Sequence, residues 1–424
     1  MLNVLEQASL NVETQNWPLV NQYLQQLPLD SKKSKLIKLS EPELEQAINI
    51  ALKVLKESDF HQRWEVAKVF PKLGKKTIPT LLQIVDNEAE NWEVRWFAIS
   101  ILGKYNDPQV VIALTELLQS SDDEELVGAV SEALVNIGQP AIEALSQLLE
   151  DEEFRLLAVQ SLAHIRRSET IQPLLKVIND PQSEIRAIAI EALSSFHHPL
   201  IPSVLIQALQ DKTAQVRKEA VKGLGIRAKQ LKQIDLVKYL SPLLHDISWE
   251  VCSKSAIALG RVGNDAAAEA LFHVFQSSAT PDLLKIDIVR ALSWIESAKV
   301  LGYFQQGLNQ SGVQVCQEII ANLGRISQPE LKPQAARILI SFFYSQQGNI
   351  TQSLIKQTLT ISLGLLGEKS AIPVLNKLCQ DPEKATQLHA VSALKKIPQS
   401  PHNLAKIDNL QPRNSRDLTP ELRS

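Results

Sequence analysis

Apolar and polar residues follow a helical period along most of the chain, and the periodic segments come in pairs. In AIEALSQLLE, residues 141–150, apolar side chains recur at steps of three and four, which places them on one helix face. A Pro or polar break such as Gln139–Pro140 precedes such a segment, and a short acidic turn such as Asp122–Asp123 separates the two helices of a pair. Because Pro is tolerated in a first helical turn and Asp caps helices, the pattern predicts an all-α fold of helix pairs.

One motif recurs in the second helix of each pair. It reads VRWFAISILG at residues 94–103, IRAIAIEALS at 185–194 and VRKEAVKGLG at 216–225. We number its residues from 0 to 9, so that the common Arg holds position 1. The residue at position 8 recurs at intervals of 28 to 40 residues, mostly near 31, at Phe70, Leu102, Leu134, Leu162, Leu193, Leu224, Leu259, Leu292, Leu323, Leu363 and Leu394. A period held this long predicts about eleven stacked two-helix repeats.

The two ends of the chain depart from the period. Residues 1–57 are predicted to form an N-terminal helical cap, with Ser40 and Glu43 as a capping box at the start of one helix. Residues 58–397 are predicted to form the repeat array, with a longer loop near residues 346–349. Residues 398–424 are polar and aperiodic, which predicts a disordered tail.

Composition excludes several classes of protein. The formal net charge is −3, so no global attraction to nucleic acid or anionic membranes is expected. Three cysteines do not make a disulfide framework, which favours a reducing, cytoplasmic location. No basic segment precedes an apolar core at the N-terminus, and no apolar run reaches the roughly 20 residues of a membrane span, so neither a secretory signal nor a membrane span is expected.

The repeat resembles the HEAT repeat, and most of all the short variant named for phycobilisome lyases. Typical of that variant is an Asp shortly before the motif, and here Asp180 and Asp211 each stand six residues before an Arg. The resemblance spans roughly residues 58–397 and implies an α–α superhelix whose second helices line a concave surface. Such repeats occur in bilin lyases, in chaperone-like proteins and in plain scaffolds. They also occur in deoxyhypusine hydroxylase, whose iron-binding His-Glu dipeptides are missing from this chain.

Given that implied architecture, motif positions 2 and 3 are candidates for a binding stripe. The residues there are aromatic or apolar in several repeats: Trp64, Trp96, Phe97, Leu157 and Ile188. An exposed stripe of this kind is typical of a protein interface. The alternative is that tight packing buries these side chains between repeats.

Charged candidates have two interpretations as well. Arg95 and Arg217 hold position 1, where Arg either clamps a ligand carboxylate or pairs with the Asp of the next turn in a structural ladder; the recurring Asp favours the ladder. Lys218 and Glu219 follow Arg217 and are either a charged continuation of the groove or a solvated face, which the sequence favours.

The remaining candidates point to structure more than to chemistry. Acidic clusters at residues 122–125 and 150–153 suit a basic partner or a cation, but helix capping is favoured. His197–His198 lacks a third metal ligand at suitable spacing, and Cys252 and Cys316 read as small buried residues more than as reactive thiols. No catalytic motif is present, so neither a catalytic residue nor a metal site is predicted.

Two functions remain open from the sequence. The first is a protein-binding scaffold or assembly chaperone, with no cofactor. The second, implied by the resemblance, is a bilin lyase or bilin chaperone whose partner is a phycobiliprotein subunit or a second lyase subunit. A transiently held bilin would stack on Trp64 and Trp96, pair its propionates with Arg95, Arg217 or Lys218, and bond its pyrrole nitrogens to Glu219. Any enzyme activity would then be chromophore attachment, not hydrolysis or di-iron hydroxylation.

Overall fold

The computed structural model describes residues 2–27, 39–345 and 352–398, and every regular element in those ranges is helical. The predicted loop near residues 346–349 lies outside the described residues, as does the predicted tail beyond Pro398. The chain divides into two compact units, residues 1–201 and 202–424. No helix in the described ranges is long and apolar enough to cross a membrane.

The first unit is a succession of short helices that pack on their neighbours in chain order. They are α1 (Leu2–Glu13), α2 (Trp17–Gln26), α3 (Glu41–Glu57), α4 (Phe60–Ala67), α5 (Phe70–Leu73), α6 (Ile78–Asp86), α7 (Trp92–Leu102), α8 (Pro108–Ser120), α9 (Glu124–Ile137), α10 (Ile142–Leu148), α11 (Arg155–Ile165), α12 (Ile171–Lys176) and α13 (Ser183–Leu193). Second helices pack on second helices, α7 on α9 and α9 on α11, which buries the apolar motif positions.

The second unit repeats the arrangement and begins with the helix that starts at the last residue of the first unit. Its helices are α14 (Ile201–Ala208), α15 (Ala214–Arg227), α16 (Leu236–Leu240), α17 (Trp249–Val262), α18 (Asp265–Gln276), α19 (Asp282–Ser293), α20 (Ala298–Gln310), α21 (Val313–Gly324), α22 (Lys332–Tyr344), α23 (Ser353–Leu366), α24 (Ile372–Leu378) and α25 (Lys384–Lys396). Short 3₁₀ turns extend several first helices, at Lys75–Thr77, Gln139–Ala141, Ser168–Thr170, Ser241–His245 and Lys369–Ala371.

Helix α3 begins at the capping box predicted from the sequence and forms a helix pair with α4. The backbone N–H of Ser40 donates to Glu43 Oε2 at 2.7 Å, which closes the predicted capping box. The helix then packs on α4, and Arg63 of α4 donates through Nε to the Leu55 carbonyl of α3 at 3.0 Å. The proposed division at residue 57 therefore separates two helices that pack as one pair.

Position 1 of the motif ties most second helices to the turn before them. Arg217 Nη1 donates to the Asp211 carbonyl at 2.8 Å, Gln387 Nε2 to the Asp381 carbonyl at 2.7 Å, and Cys252 Sγ contacts the Asp246 carbonyl at 3.1 Å. These carbonyls lie beyond the last turn of a first helix and have no intrahelical partner. A donor at position 1 therefore satisfies them whatever its residue type.

In several repeats a basic side chain at position 1 also reaches the next repeat. Arg217 grips the Asp246 carboxylate with two bonds of 2.7 Å, and Arg155 reaches Asp180 at 3.3 Å. Asp246 in turn accepts the Ser248 N–H at 2.8 Å, which fixes its own turn. At these repeats position 1 therefore forms the predicted ladder of Arg–Asp pairs. The Arg217 guanidinium is paired within this ladder.

Small residues set the spacing between second helices. A Cβ added at Gly260 would lie 2.7 Å from the Ala291 carbonyl oxygen, and one at Gly225 would lie 2.9 Å from the Ala258 Cβ. In the first unit Gly103 lies equally close to Ala133. Gly at position 9 therefore lets position 7 of the following repeat approach to van der Waals contact.

We expect Gly260→Ala to destabilise the protein although Ala is the better helix former. Overpacking of a tight contact typically costs about 1–3 kcal/mol, more than the roughly 1 kcal/mol gained in helix propensity. Gly302→Ala is the matched control, because a Cβ there meets nothing within 4 Å in the interior of α20. Thermal unfolding followed by circular dichroism should show a lower midpoint for the first variant only; equal midpoints would contradict the close-packing argument.

The Arg217–Asp246 pair should make stability depend on pH. Burial raises the pKa of Asp246, but hydrogen bonds from Arg217 and Ser248 and the Arg217 charge outweigh it, so the pKa lies below its ordinary value. A lowered folded-state pKa means that the pair stabilises fully above roughly pH 4, the unfolded-state value, and that this is lost as pH falls through the lower folded value.

Arg217→Ala is therefore expected to cost roughly 3 kcal/mol at pH 7, because it leaves a buried carboxylate unpaired. The difference from wild type should shrink below about pH 4. Lys218→Ala is the control: Lys218 pairs with the exposed Glu250, and such a pair is worth under about 1 kcal/mol. Hydrogen exchange of the α15 and α17 amides measures both, and a pH-independent Arg217→Ala effect would refute the assignment.

Candidate functional site

Two neighbouring second helices of the first unit each begin with an exposed aromatic residue. The Asp59 carboxylate accepts the Gln62 N–H at 2.9 Å, so α4 starts at Phe60. The Asn91 side chain accepts the Glu93 N–H at 2.9 Å, so α7 starts at Trp92. Each capping residue thus holds the aromatic ring that follows it at the first helical position, on the turn between the two helices of a pair.

A second aromatic residue follows each of these by one helical turn. Trp64 lies four residues after Phe60, and Trp96 lies four residues after Trp92, so each pair shares a helix face. The exposed fractions are 53% for Phe60, 49% for Trp64 and 54% for Trp92, and Trp96 is half-buried. We call Phe60, Trp64, Trp92 and Trp96 the aromatic surface.

The buried Phe97 ring contacts aromatic residues of the surface on both α4 and α7. Its ring lies 5.2 Å from that of Phe60 on α4 and 5.1 Å from that of Trp96, the second contact edge to face. Phe97 is only 1% exposed, so the expectation that it belongs to an exposed stripe is wrong. The reason is that α4 packs on α7 and position 3 of α7 points into that contact.

The other predicted residues of the first unit contribute less open surface. Leu157 on α11 and Ile188 on α13 are half-buried between neighbouring helices. Arg95 donates through Nε to the Val85 carbonyl at 2.9 Å, which is the structural role of position 1. Of the predicted stripe, Trp64 and Trp96 are therefore the residues that keep an open aromatic face.

Phe60 and Trp92 are missing from the predicted stripe. Both precede the motif, at two residues before its position 0, so an alignment of positions 0 to 9 does not include them. The available signal was a capping residue followed at once by a large aromatic, Asp59–Phe60 and Asn91–Trp92. A first helical position has few intrahelical neighbours, so an aromatic side chain there is often left in solvent.

The charged candidates other than Arg95 lie in the second unit and are largely engaged within it. Arg217 is buried and paired with Asp246, as described above. Glu219 is 4% exposed, accepts from Gln215 at 3.2 Å and pairs with Lys222. Lys218 pairs with Glu250 at 2.8 Å. The expectation of a free charged groove at Arg217 and Glu219 is wrong, because neighbouring side chains already satisfy both.

The second unit also holds an apolar cavity that the motif did not indicate. Its volume is about 400 Å³, and Ile247, Trp249 and Leu283 stand at its rim. Ile247 is 97% exposed in the turn before α17, where other repeats carry Pro or Lys. Cys252 lines the same cavity; burial raises the pKa of its thiol, which keeps it protonated and poorly nucleophilic.

No metal-binding group of three or more His, Cys, Asp and Glu side chains is found in the parts of the chain that the structure describes. His198 Nδ1 accepts the Leu200 N–H at 3.3 Å, so the His197–His198 pair helps to order a loop.

The geometry of the aromatic surface suits non-covalent docking, since exposed rings on a rigid helix pair bury large area with little loss of side-chain entropy.

The sequence profile of HEAT repeats matches residues 78–155, 142–200 and 201–293, about half of the chain in total. The chain therefore belongs to the HEAT-repeat family, and its fold is an all-α superhelix of that kind. No curated protein sequence shows significant similarity to it.

Solved structures extend the likeness in fold. A crystal structure of a Kap121p mutant has a TM-score of 0.60 at 12% identity and covers 98% of this chain and 52% of its own. The crystal structure of Kap121p bound to Pho4p has a TM-score of 0.57 at 14% identity and covers 84% of this chain and 46% of its own. A homology model of the full-length AP-3 complex has a TM-score of 0.53 at 12% identity and covers 96% of this chain and 86% of its own. This chain spans about half of the Kap121p chain.

Burial predicts opposite outcomes for two neighbouring aromatic residues. Phe97→Ala should lower the free energy of unfolding by roughly 3–5 kcal/mol, because it opens a cavity between α4 and α7. Trp64→Ala should change it by less than about 1 kcal/mol, because half of its side chain is already in solvent. Urea unfolding followed by circular dichroism tests this, and similar losses for both variants would show that Trp64 is a core residue.

Proposed function

We propose that this chain is a protein-binding HEAT-repeat scaffold or assembly chaperone that holds a partner segment on the aromatic surface. One observation carries the proposal: four large aromatic side chains stand on two packed helices with about half of three of them in solvent. Contiguous exposed apolar area of this kind is costly in an unpartnered protein and typical of interfaces. Trp is also enriched among the residues that dominate binding energy.

The comparisons support this class of function without naming a partner. Kap121p, which shares the fold, has been crystallised bound to the protein Pho4p. No metal-binding group is found among the described residues, and the sequence contains no known catalytic motif, which favours binding over catalysis. The cytoplasmic location expected from the cysteine content remains a prediction.

The bilin lyase alternative gains nothing from these findings. It rested on the phycobilisome lyase subtype, which the HEAT-repeat match does not distinguish. The groups expected to bind a bilin's propionates and pyrrole nitrogens, Arg217 and Glu219, are buried in pairs with Asp246 and Lys222. A phycobiliprotein or second lyase subunit as partner depended on the same resemblance and is not part of this proposal.

Removing one exposed ring should weaken partner binding while the fold persists. Trp64→Ala and Trp92→Ala are each expected to cost roughly 2 kcal/mol or more, about a thirty-fold loss of affinity. Proteins retained from an extract of the source cells by wild type, and lost from both variants, identify the partner, whose affinity is then measured by calorimetry.

Trp294→Ala is the matched control, since Trp294 is 52% exposed but lies in the second unit. Proteins lost from this variant as well would report a general effect of removing surface Trp. If no retained protein depended on Trp64 or Trp92, the aromatic surface would not be the docking site.

A further inference from the structure

Three successive turns of the first unit carry many acidic residues, of which only a few pair with bases elsewhere. Each turn precedes a second helix, and they read DNEAENWE at residues 86–93, DDEE at 122–125 and EDEE at 150–153. Together these segments contain twelve carboxylates and no Lys or Arg. We call them the acidic row.

Structural duties account for part of this charge. Lys56 pairs with Glu90, Arg63 pairs with Glu93, and Lys176 approaches Glu150 at 3.9 Å. Asp123 caps α9, accepting the Glu125 N–H at 3.0 Å, and Asp151 accepts the Glu153 N–H at 3.0 Å. The other carboxylates, among them Glu88, Asp122 and Glu152, are exposed and form no ion pair with any described residue.

The acidic row is continuous with the aromatic surface. Trp92 stands inside the first acidic turn, between Glu90 and Glu93. The following turns open α9 and α11, and because α7 packs on α9 and α9 on α11, they lie at the same end of successive repeats. An apolar docking surface therefore borders a row of carboxylates, most of which form no ion pair with a described residue.

Charge complementarity selects the occupant. Carboxylates held this close repel one another, and a cationic segment laid along them relieves that repulsion and is steered toward them. An acidic or neutral segment would gain only the apolar contact. A second copy of this chain carries a net charge of −3, so its overall charge would oppose docking on these carboxylates.

We propose that the partner segment is cationic and amphipathic: bulky apolar side chains contact Phe60, Trp64, Trp92 and Trp96, and Lys or Arg side chains lie along the acidic row. This inference rests on the proposed function, since it specifies the partner of the same surface. Aromatic contact supplies most of the affinity, and the charges supply association rate and selectivity.

A display selection with a random library of 16-residue peptides, run on the full chain, tests this directly. Enriched peptides should combine aromatic or aliphatic residues with a net positive charge. For a selected peptide, Glu88→Lys/Asp122→Lys/Glu152→Lys should weaken binding at least about ten-fold at low salt and flatten its salt dependence. Those three residues lie in turns, outside the helices and their caps.

The control variant reverses three exposed carboxylates of the same unit elsewhere, Glu45→Lys/Glu116→Lys/Glu143→Lys, and should change affinity less than about three-fold. Two results would overturn the proposal of a cationic partner but not the docking surface. One is enriched peptides whose binding depends on Trp64 but that carry no positive charge, and the other is an equal loss of affinity in both triple variants. Peptides indifferent to both Trp64→Ala and Trp92→Ala, or no enrichment at all, would overturn the docking surface and this inference together.

Discussion

Most of the repeats share one interaction, a side-chain donor at position 1 of the second helix. That donor satisfies backbone carbonyls at the end of the preceding first helix, as Arg217, Gln387 and Cys252 each do in the second unit. In some repeats a basic side chain at position 1 also pairs with the acidic residue of the next turn, as in Arg217–Asp246 and Lys356–Asp381. A single side chain thus closes its own pair and fixes the register of the next.

The distance between neighbouring second helices is set separately, by glycines that have no side chain at the contact. Gly at position 9 meets Ala at position 7 of the following repeat in Gly103–Ala133, Gly260–Ala291 and Gly364–Ala393. The polar ladder fixes the turns and this small-residue contact brings the second helices together, so few positions carry the architecture. The exposed positions belong neither to these contacts nor to the apolar core, which is why a HEAT-repeat fold alone says little about function.

Function in this chain is argued from where the pattern is broken. Most first positions of second helices carry small or polar residues, whereas α4, α7 and α17 begin with Phe60, Trp92 and Trp249, and only α4 and α7 are neighbours. The turn of α7 and the two turns after it lack bases as well. Packing and capping account for only part of each feature, and the two features adjoin. Their combination at one end of the first unit is the reason to place binding there.

The sequence by itself determined the all-α class, the pairing of helices, the capping box at Ser40 and the Asp–Arg ladder, since each depends on local spacing and chemistry. It did not decide which aromatic residues stay in solvent. Trp64 and Trp96 at position 2 and Phe97 at position 3 were assigned to one exposed stripe, yet Phe97 is buried and Trp64 is half in solvent. Periodicity tells which face of a helix a residue occupies, whereas exposure depends on how closely the neighbouring helix approaches that face. For these residues the approach of α4 to α7 is known only from the tertiary structure.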